Sequence, residues 1–219
     1  MTAILTIAID GPAASGKGTL ARRLAARFDL AYLDTGAIYR AVARDVLAAG
    51  QAPQDAAAAE RIAERLDPAS LADPRLRDED VARASSVVAA HPGVRRALLE
   101  FQRNFAAAPP GGKRGAVLDG RDIGTVVCPD APLKLYITAD IEARADRRFK
   151  ELSAKGEAQD PAAVLADLQA RDARDSGRST APLKAADDAV AIDTSALDAD
   201  AVFANVAELV EARLRELLR

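Results

Sequence analysis

A run of mostly β-branched residues, Ala3 to Ile9, leads through Asp10 into the segment GPAASGKGT, Gly11 to Thr19, and apolar residues then recur at Leu20, Leu24 and Phe28. An apolar run of this length predicts a buried strand. The periodic residues, with arginines between them, predict an amphipathic helix from Lys17 to Arg27 packed on that strand. Strand, glycine-rich turn, lysine and helix start in this order form a phosphate-cradling loop. Gly11 and Gly16 let backbone amides turn inward, and the first helical turn adds unpaired N–H groups and the positive end of its dipole. Lys17 then reaches the β and γ phosphates of a nucleoside triphosphate. A glycine-rich turn without a ligand needs neither these flanks nor a lysine at this spacing. The general pattern places Ser or Thr directly after the lysine; here Gly18 intervenes, so Thr19 is the candidate hydroxyl for Mg2+, directly or through water. The residues expected around ATP are Gly11, Pro12, Ala13, Ala14, Ser15, Gly16, Lys17, Gly18 and Thr19.

Further strands are expected at Ala31 to Asp34, Gly115 to Leu118, Leu133 to Thr138 and Ala189 to Ile192. Helices are expected at 38–49, 54–66, 81–90, 94–105, 140–153, 161–173 and 198–218, with Gly50 and the prolines at 92 and 161 as boundary signals. Alternating strands and helices predict an α/β fold in which a central parallel sheet carries helices on both faces. Ligands in such sheets sit at the carboxyl ends of the strands. Asp10-Gly11, Asp34-Thr35-Gly36 and Asp119-Gly120-Arg121 each follow a strand, so they converge on one crevice. One domain over 1–219 is expected, with a polar insertion, rich in proline and of weak core, beginning at about residue 51.

A second anion site is legible in the arginines. Thr35 is placed to cap the helix that carries Arg40, Arg121 stands at the mouth of a neighbouring strand, and Arg171, Arg174 and Arg178 form a third cluster. Arginine's planar fork binds phosphate oxygens bidentately and stays charged. Arg22, Arg23 and Arg147 taken singly read as solvated helix residues. Phosphoryl transfer needs cations and alignment more than covalent help. A phosphate monoester with a second pKa near ~6 is already a dianionic nucleophile, so no catalytic base is required. That suits a chain whose one histidine, His91, stands beside Pro92 at a helix boundary.

Composition limits the partners. The formal charge of −3 opposes a general nucleic-acid or membrane-surface binder. One cysteine, Cys128, excludes an intrachain disulfide framework and fits a reducing compartment, and a zinc site is not expected. The opening MTAILTIAIDG shows neither a basic leader nor a spanning stretch. The expectation is a cytoplasmic monomer acting on small molecules, with no nucleic acid and no membrane.

The ordered set IAIDGPAASGKGTLA, YLDTGAIYRAVA, VLDGRDIGTVV, PDAPLKLYITAD, RDARDSGR and APLKAADDAVAIDTS resembles the bacterial cytidylate kinases, and the GKGT ending is that of nucleoside monophosphate kinases. The resemblance covers almost the whole chain. It implies transfer of the γ-phosphate of ATP to CMP or dCMP with Mg2+, giving CDP or dCDP and ADP in pyrimidine nucleotide metabolism. It places CMP on Thr35, Tyr39, Arg40, Ser86, Arg95, Arg121, Asp122, Arg171, Asp175 and Arg178. Lys17, Arg121, Arg148 and Arg178 would act on the transferred group, and Arg144 and Arg148 would close over ATP from a lid at about 145–165. An acceptor-side insertion would occupy about 51–92, shortened here, with a loop instead of a small antiparallel sheet between Leu66 and Val81. Asp122 suits the cytosine N4 donor and Arg95 its O2 and N3 acceptors. A carboxylate there repels the O4 of uracil. Two alternatives stay open: a kinase for AMP, UMP, shikimate or dephospho-coenzyme A, and a nucleotide-dependent switch. Against the switch, the chain has no Asn-Lys-x-Asp motif and carries a second arginine-lined site.

Overall fold

The structure, a computed structural model, describes residues 5–157 and 160–217. Ala3 and Ile4 of the expected first strand, Ala158 and Gln159 within the expected lid, and Leu218 at the end of the expected last helix lie outside these.

The strands β1 (Leu5–Asp10), β2 (Ala31–Asp34), β3 (Gly115–Gly120), β4 (Leu133–Thr138) and β5 (Val190–Asp193) form one all-parallel sheet in the order β2-β3-β1-β4-β5. The helices are α1 (Lys17–Phe28), α2 (Thr35–Ala48), α3 (Ala56–Ala63), α4 (Glu79–Val88), α5 (Pro92–Ala107), α6 (Ile141–Ala154), α7 (Pro161–Ser176) and α8 (Ala199–Leu217). Side chains alternate across a strand, and both faces are covered. Ile7, Ile9, Leu135 and Ile137 pack against Leu20 and Leu24 of α1 and Val206 and Val210 of α8. Ala8, Leu33, Ala116 and Leu118 pack against Ile38 and Val42 of α2, Val88 of α4 and Leu98 of α5. Each fully buried Ile or Leu contributes about 1.5–3 kcal/mol relative to exposure. The strand whose end carries the phosphate loop, β1, lies at the centre of the sheet between these two layers.

Between Leu66 and Val81 the described chain holds no strand, as expected, but two short 3-10 turns, Pro68–Ala72 and Pro74–Arg77. Each opens on proline after an aspartate, and Asp67 and Asp73 accept the amides of Ala69 and Arg75. Arg44 of α2 pins the second turn through Asp73 at 3.0 Å.

Local chemistry moved one boundary that bears on the site. α2 starts at Thr35 instead of Ile38, because Asp34 is its cap and accepts the Ala37 amide at 3.1 Å. Thr35, expected to cap, instead donates its hydroxyl to the carbonyl of Asp119 at 2.7 Å and ties the helix start to β3. After Asp122 the chain makes a π-helical turn, Ile123–Val127, that no sequence periodicity announced.

Candidate functional site

The loop leaves β1 at Gly11, where a Cβ would lie 2.0 Å from the Ile137 carbonyl oxygen, so only glycine allows this exit. Ala14 and Gly16 take left-handed backbone angles, φ 58° and 88°, which turn the loop over the start of α1. Lys17 is buried and donates to the Pro12 carbonyl at 3.0 Å. Burial, with help from Arg121 and Arg171, pushes its pKa down to about 7. Thr194, after β5, donates its hydroxyl to the carbonyls of Ser15 and Thr138, both at 3.1 Å, and accepts from Arg147 Nη1 at 3.0 Å. That single hydroxyl ties the loop, β4 and α6 together.

A cavity of about 440 Å3 lies against the helix side of this loop. Ala14, Ser15, Gly16, Lys17, Gly18 and Thr19 line one wall, and Leu197, Ala199 and Val202 give an apolar floor. Gly11, Pro12 and Ala13 are buried behind the loop and support it without lining this cavity. Arg147 and Arg148 close the far side. Arg148 is held by Glu79 of α4 and, at 2.9 Å, by Glu151.

A second cavity, of about 300 Å3, adjoins the first and shares Ala14, Lys17, Gly18, Arg22 and Glu151 with it. Every residue expected at the acceptor lines this space: Thr35, Tyr39, Arg40, Ser86, Arg95, Arg121, Asp122, Arg171, Asp175 and Arg178. Its walls are paired charges. Arg40 holds Asp34 at 2.5 Å, Arg121 holds Asp175 at 2.9 Å, Arg178 holds the other oxygen of Asp175, and Arg95 pairs with Asp122. Burial alone would push the Asp175 carboxyl up, but Arg121, Arg178 and Arg171 outweigh it and hold it below the usual range. The Nε atoms of Arg40, Arg171 and Arg178 are buried with no hydrogen-bond partner among the described residues. Burial, reinforced by Arg121, lowers the Arg171 pKa to about 10. Buried donors without a partner are costly, and all three guanidiniums belong to residues that line this one cavity. The Arg95 guanidinium stands 5.5 Å from the Tyr39 ring centre, and Ser86 accepts from Arg174 Nε at 3.1 Å.

Two readings of the sequence are corrected by the structure. Arg144, expected to close over ATP, is buried under the loop, donating to the carbonyls of Ala139 at 2.9 Å and Ala13 at 3.3 Å and pairing with Asp172 at 2.7 Å. It sits in the first turn of α6, against the sheet, whereas Arg148 lies roughly 6 Å further out along the helix. Arg147 is not merely solvated, for it lines the first cavity and donates to Thr194; Arg22 is exposed, as expected, at the edge of that cavity, and Arg23 pairs at the surface with Asp200. The sequence reading placed Asp119 at the crevice but gave it no role. It is buried, accepts the Tyr32 hydroxyl at 2.8 Å, and burial together with Asp34 raises its pKa. A Cβ on Gly18 already lies 3.3 Å from this carboxylate, which accounts for glycine where a hydroxyl residue is usual. Its strand-end position in the Asp-Gly-Arg-Asp segment was the available signal.

A parallel sheet whose central strand runs into a glycine loop, with a helix behind it, defines a P-loop kinase. Residues 7–212 match the cytidylate kinase model, and the chain belongs to the cytidylate kinase family, which phosphorylates CMP and dCMP with ATP. It is 61% identical over 198 residues to a cytidylate kinase of Paramagnetospirillum magneticum, covering 90% of this chain and 93% of that one. It is 57% identical over 209 residues to a cytidylate kinase of Xanthobacter autotrophicus, covering 95% and 98%. A solved structure of an uncharacterized protein from Eubacterium ventriosum is similar in fold, with a TM-score of 0.53 at 15% identity over 94% of this chain and 98% of that one. Among the described residues no helix is long and apolar enough to cross a membrane.

Proposed function

We propose that the larger cavity holds ATP and the smaller one CMP or dCMP, and that Lys17, which lines both, stands where the γ-phosphate crosses between them. That shared lysine is the observation on which the reading rests. Loop amides from Ala14 to Thr19 hold the phosphates, and Leu197 and Val202 offer apolar surface to the adenosine end. The guanidiniums of Arg40, Arg171 and Arg178, with Arg121, hold the acceptor phosphate. Asp175 fixes Arg121 and Arg178 from the ribose side. Tyr39, Ser86, Arg95 and Asp122 surround the cytosine; Asp122 accepts from N4 and Arg95 donates to O2 and N3.

An oxygen of the CMP phosphate attacks the γ-phosphorus in line, the bond to the β–γ bridging oxygen breaks, and ADP departs carrying that electron pair. The charge spread over the transferred group meets Lys17, Arg121, Arg178 and Arg148, the last after exchanging Glu79 for phosphate. The nucleophile is already anionic, so no base is used. Mg2+ would be held by the Thr19 hydroxyl, directly or through water, with the Asp119 carboxylate beside Gly18 as a further hard oxygen donor. When bound it supplies positive charge to the β and γ phosphates.

The chain works in this reading as one nucleoside monophosphate kinase domain, with residues 51–92 closing over the acceptor and 145–165 over ATP to exclude water. Initial rates of ADP formation with CMP, dCMP, UMP and AMP as acceptors test the reading. CMP and dCMP are expected to lead. AMP outpacing CMP would break the base assignment, and no acceleration by any acceptor would favour a nucleotide switch.

A further inference from the structure

Asp10 ends the central strand, opposite Gly120 of β3 and Tyr136 of β4, and the transfer just described gives it no part. Ile7 and Ile9 face α1 and α8, so alternation turns Asp10, like Ala8, toward the other face. Its backbone therefore runs on into the donor loop while its side chain points to the acceptor half. There Oδ1 accepts the Ile123 amide and Oδ2 the Gly124 amide, both at 2.7 Å. These two amides open the π-helical turn Ile123–Val127, which follows directly on Arg121 and Asp122. Turns of this kind are rare and concentrate at functional sites. Asp10 is only 3% exposed and forms no ion pair among the described residues. A Cβ on Gly124 would stand 3.1 Å from Lys134 Cδ and 3.4 Å from Asp10 Oδ2, so a small residue keeps the carboxylate close.

We infer that Asp10 is a positioning residue: from the root of the donor loop it clamps the backbone that aims Arg121 and Asp122 at the acceptor, so both halves of the site keep one geometry. The inference rests on the two-cavity reading above. Its chemistry is testable because burial pushes the Asp10 pKa up to about 6 against the pull of the two amides, with Asp122 raising it and Arg121 lowering it. The other groups facing it, Tyr136 and Cys128, have pKa values raised by their own burial, and the Lys134 ammonium is turned away to Asp188 at 2.8 Å. Above about pH 6 the carboxylate accepts both amides; below it, an O–H confronts one N–H and that bond is lost.

Asp10→Asn keeps the shape but sets an NH2 group against one amide. KM for CMP is expected to rise about tenfold or more, the preference for CMP over UMP to fall, and KM for ATP to change less than about threefold. Gly124→Ala should give the same pattern in weaker form and serves if Asp10→Asn fails to fold. From about pH 7.5 to 5.5 the wild-type KM for CMP should rise more than that of Asp10→Asn, since the titration of CMP itself is common to both. Proportional loss for ATP and CMP, or unchanged selectivity, would overturn the clamp. Arg40→Ala measured alongside separates the two readings. If it raises KM for CMP while Asp10→Asn does not, only the clamp fails; if neither variant does, the acceptor cavity is wrongly assigned.

Discussion

The two cavities are built from different materials. The phosphate wall of the ATP side is one loop of consecutive residues, Ala14 to Thr19, with two left-handed positions, faced across the cavity by Arg147 and Arg148. The CMP-side wall is side chain, drawn from positions as far apart as Asp34 and Arg178, and its charges are matched in pairs such as Arg95–Asp122 and Arg121–Asp175. A backbone cradle is rigid before any ligand arrives, and its amides and dipole suit any triphosphate. Paired charges keep such a wall folded, yet breaking one pair leaves a buried charge uncompensated. Generality comes from the first and selectivity from the second.

The comparison can be broken most forcefully at the shared residue. Lys17→Ala is expected to lower kcat by about 10^3-fold while leaving CMP affinity nearly unchanged, checked by steady-state rates beside equilibrium titration. Asp122→Asn exchanges a carboxylate for a group that also donates, so the CMP to UMP ratio of kcat/KM should fall by about 10^2, with melting followed to show that the fold persists.

The cradle also carries a pH signature of its own. Lys17 has a pKa of about 7, depressed from its ordinary value, so it is charged below that pH and neutral above it. Bound phosphate favours the charged form, so ATP binding at about pH 8 should take up nearly one proton, and affinity should weaken about tenfold per unit above 7. Titration in buffers of different ionisation enthalpy measures this; proton uptake that is the same at about pH 6 and 8 would remove Lys17 from the phosphate site. The smallest effect is expected at the far rim, where Arg147→Ala should weaken ATP about threefold and leave KM for CMP unchanged, because Arg147 is already engaged by Thr194.

The same contrast explains what could be read in the sequence. The phosphate loop was legible because its chemistry is local: strand, glycines, lysine and helix lie within a single stretch. The five strands and the helices on both faces followed from runs and periods of the same kind. The acceptor residues were reached through the resemblance and the strand-end placement of Arg40 and Arg121, but how they pair was not legible. That Arg95 turns to Asp122, that Tyr32 holds Asp119, and that Arg144 sinks beneath Ala13 depend on contacts 27, 87 and 131 residues apart. The π-helical turn after Asp122 was hidden for a related reason, since it is held by Asp10, more than a hundred residues earlier.

The division of labour between the two walls is tested most directly by calorimetric titration of Arg40→Ala with CMP and, separately, with a non-hydrolysable ATP analogue. CMP affinity is predicted to fall by about 10^2 while the analogue binds within about threefold of wild type. An equal loss of both would contradict the account, for it would mean that donor and acceptor do not occupy separately built sites.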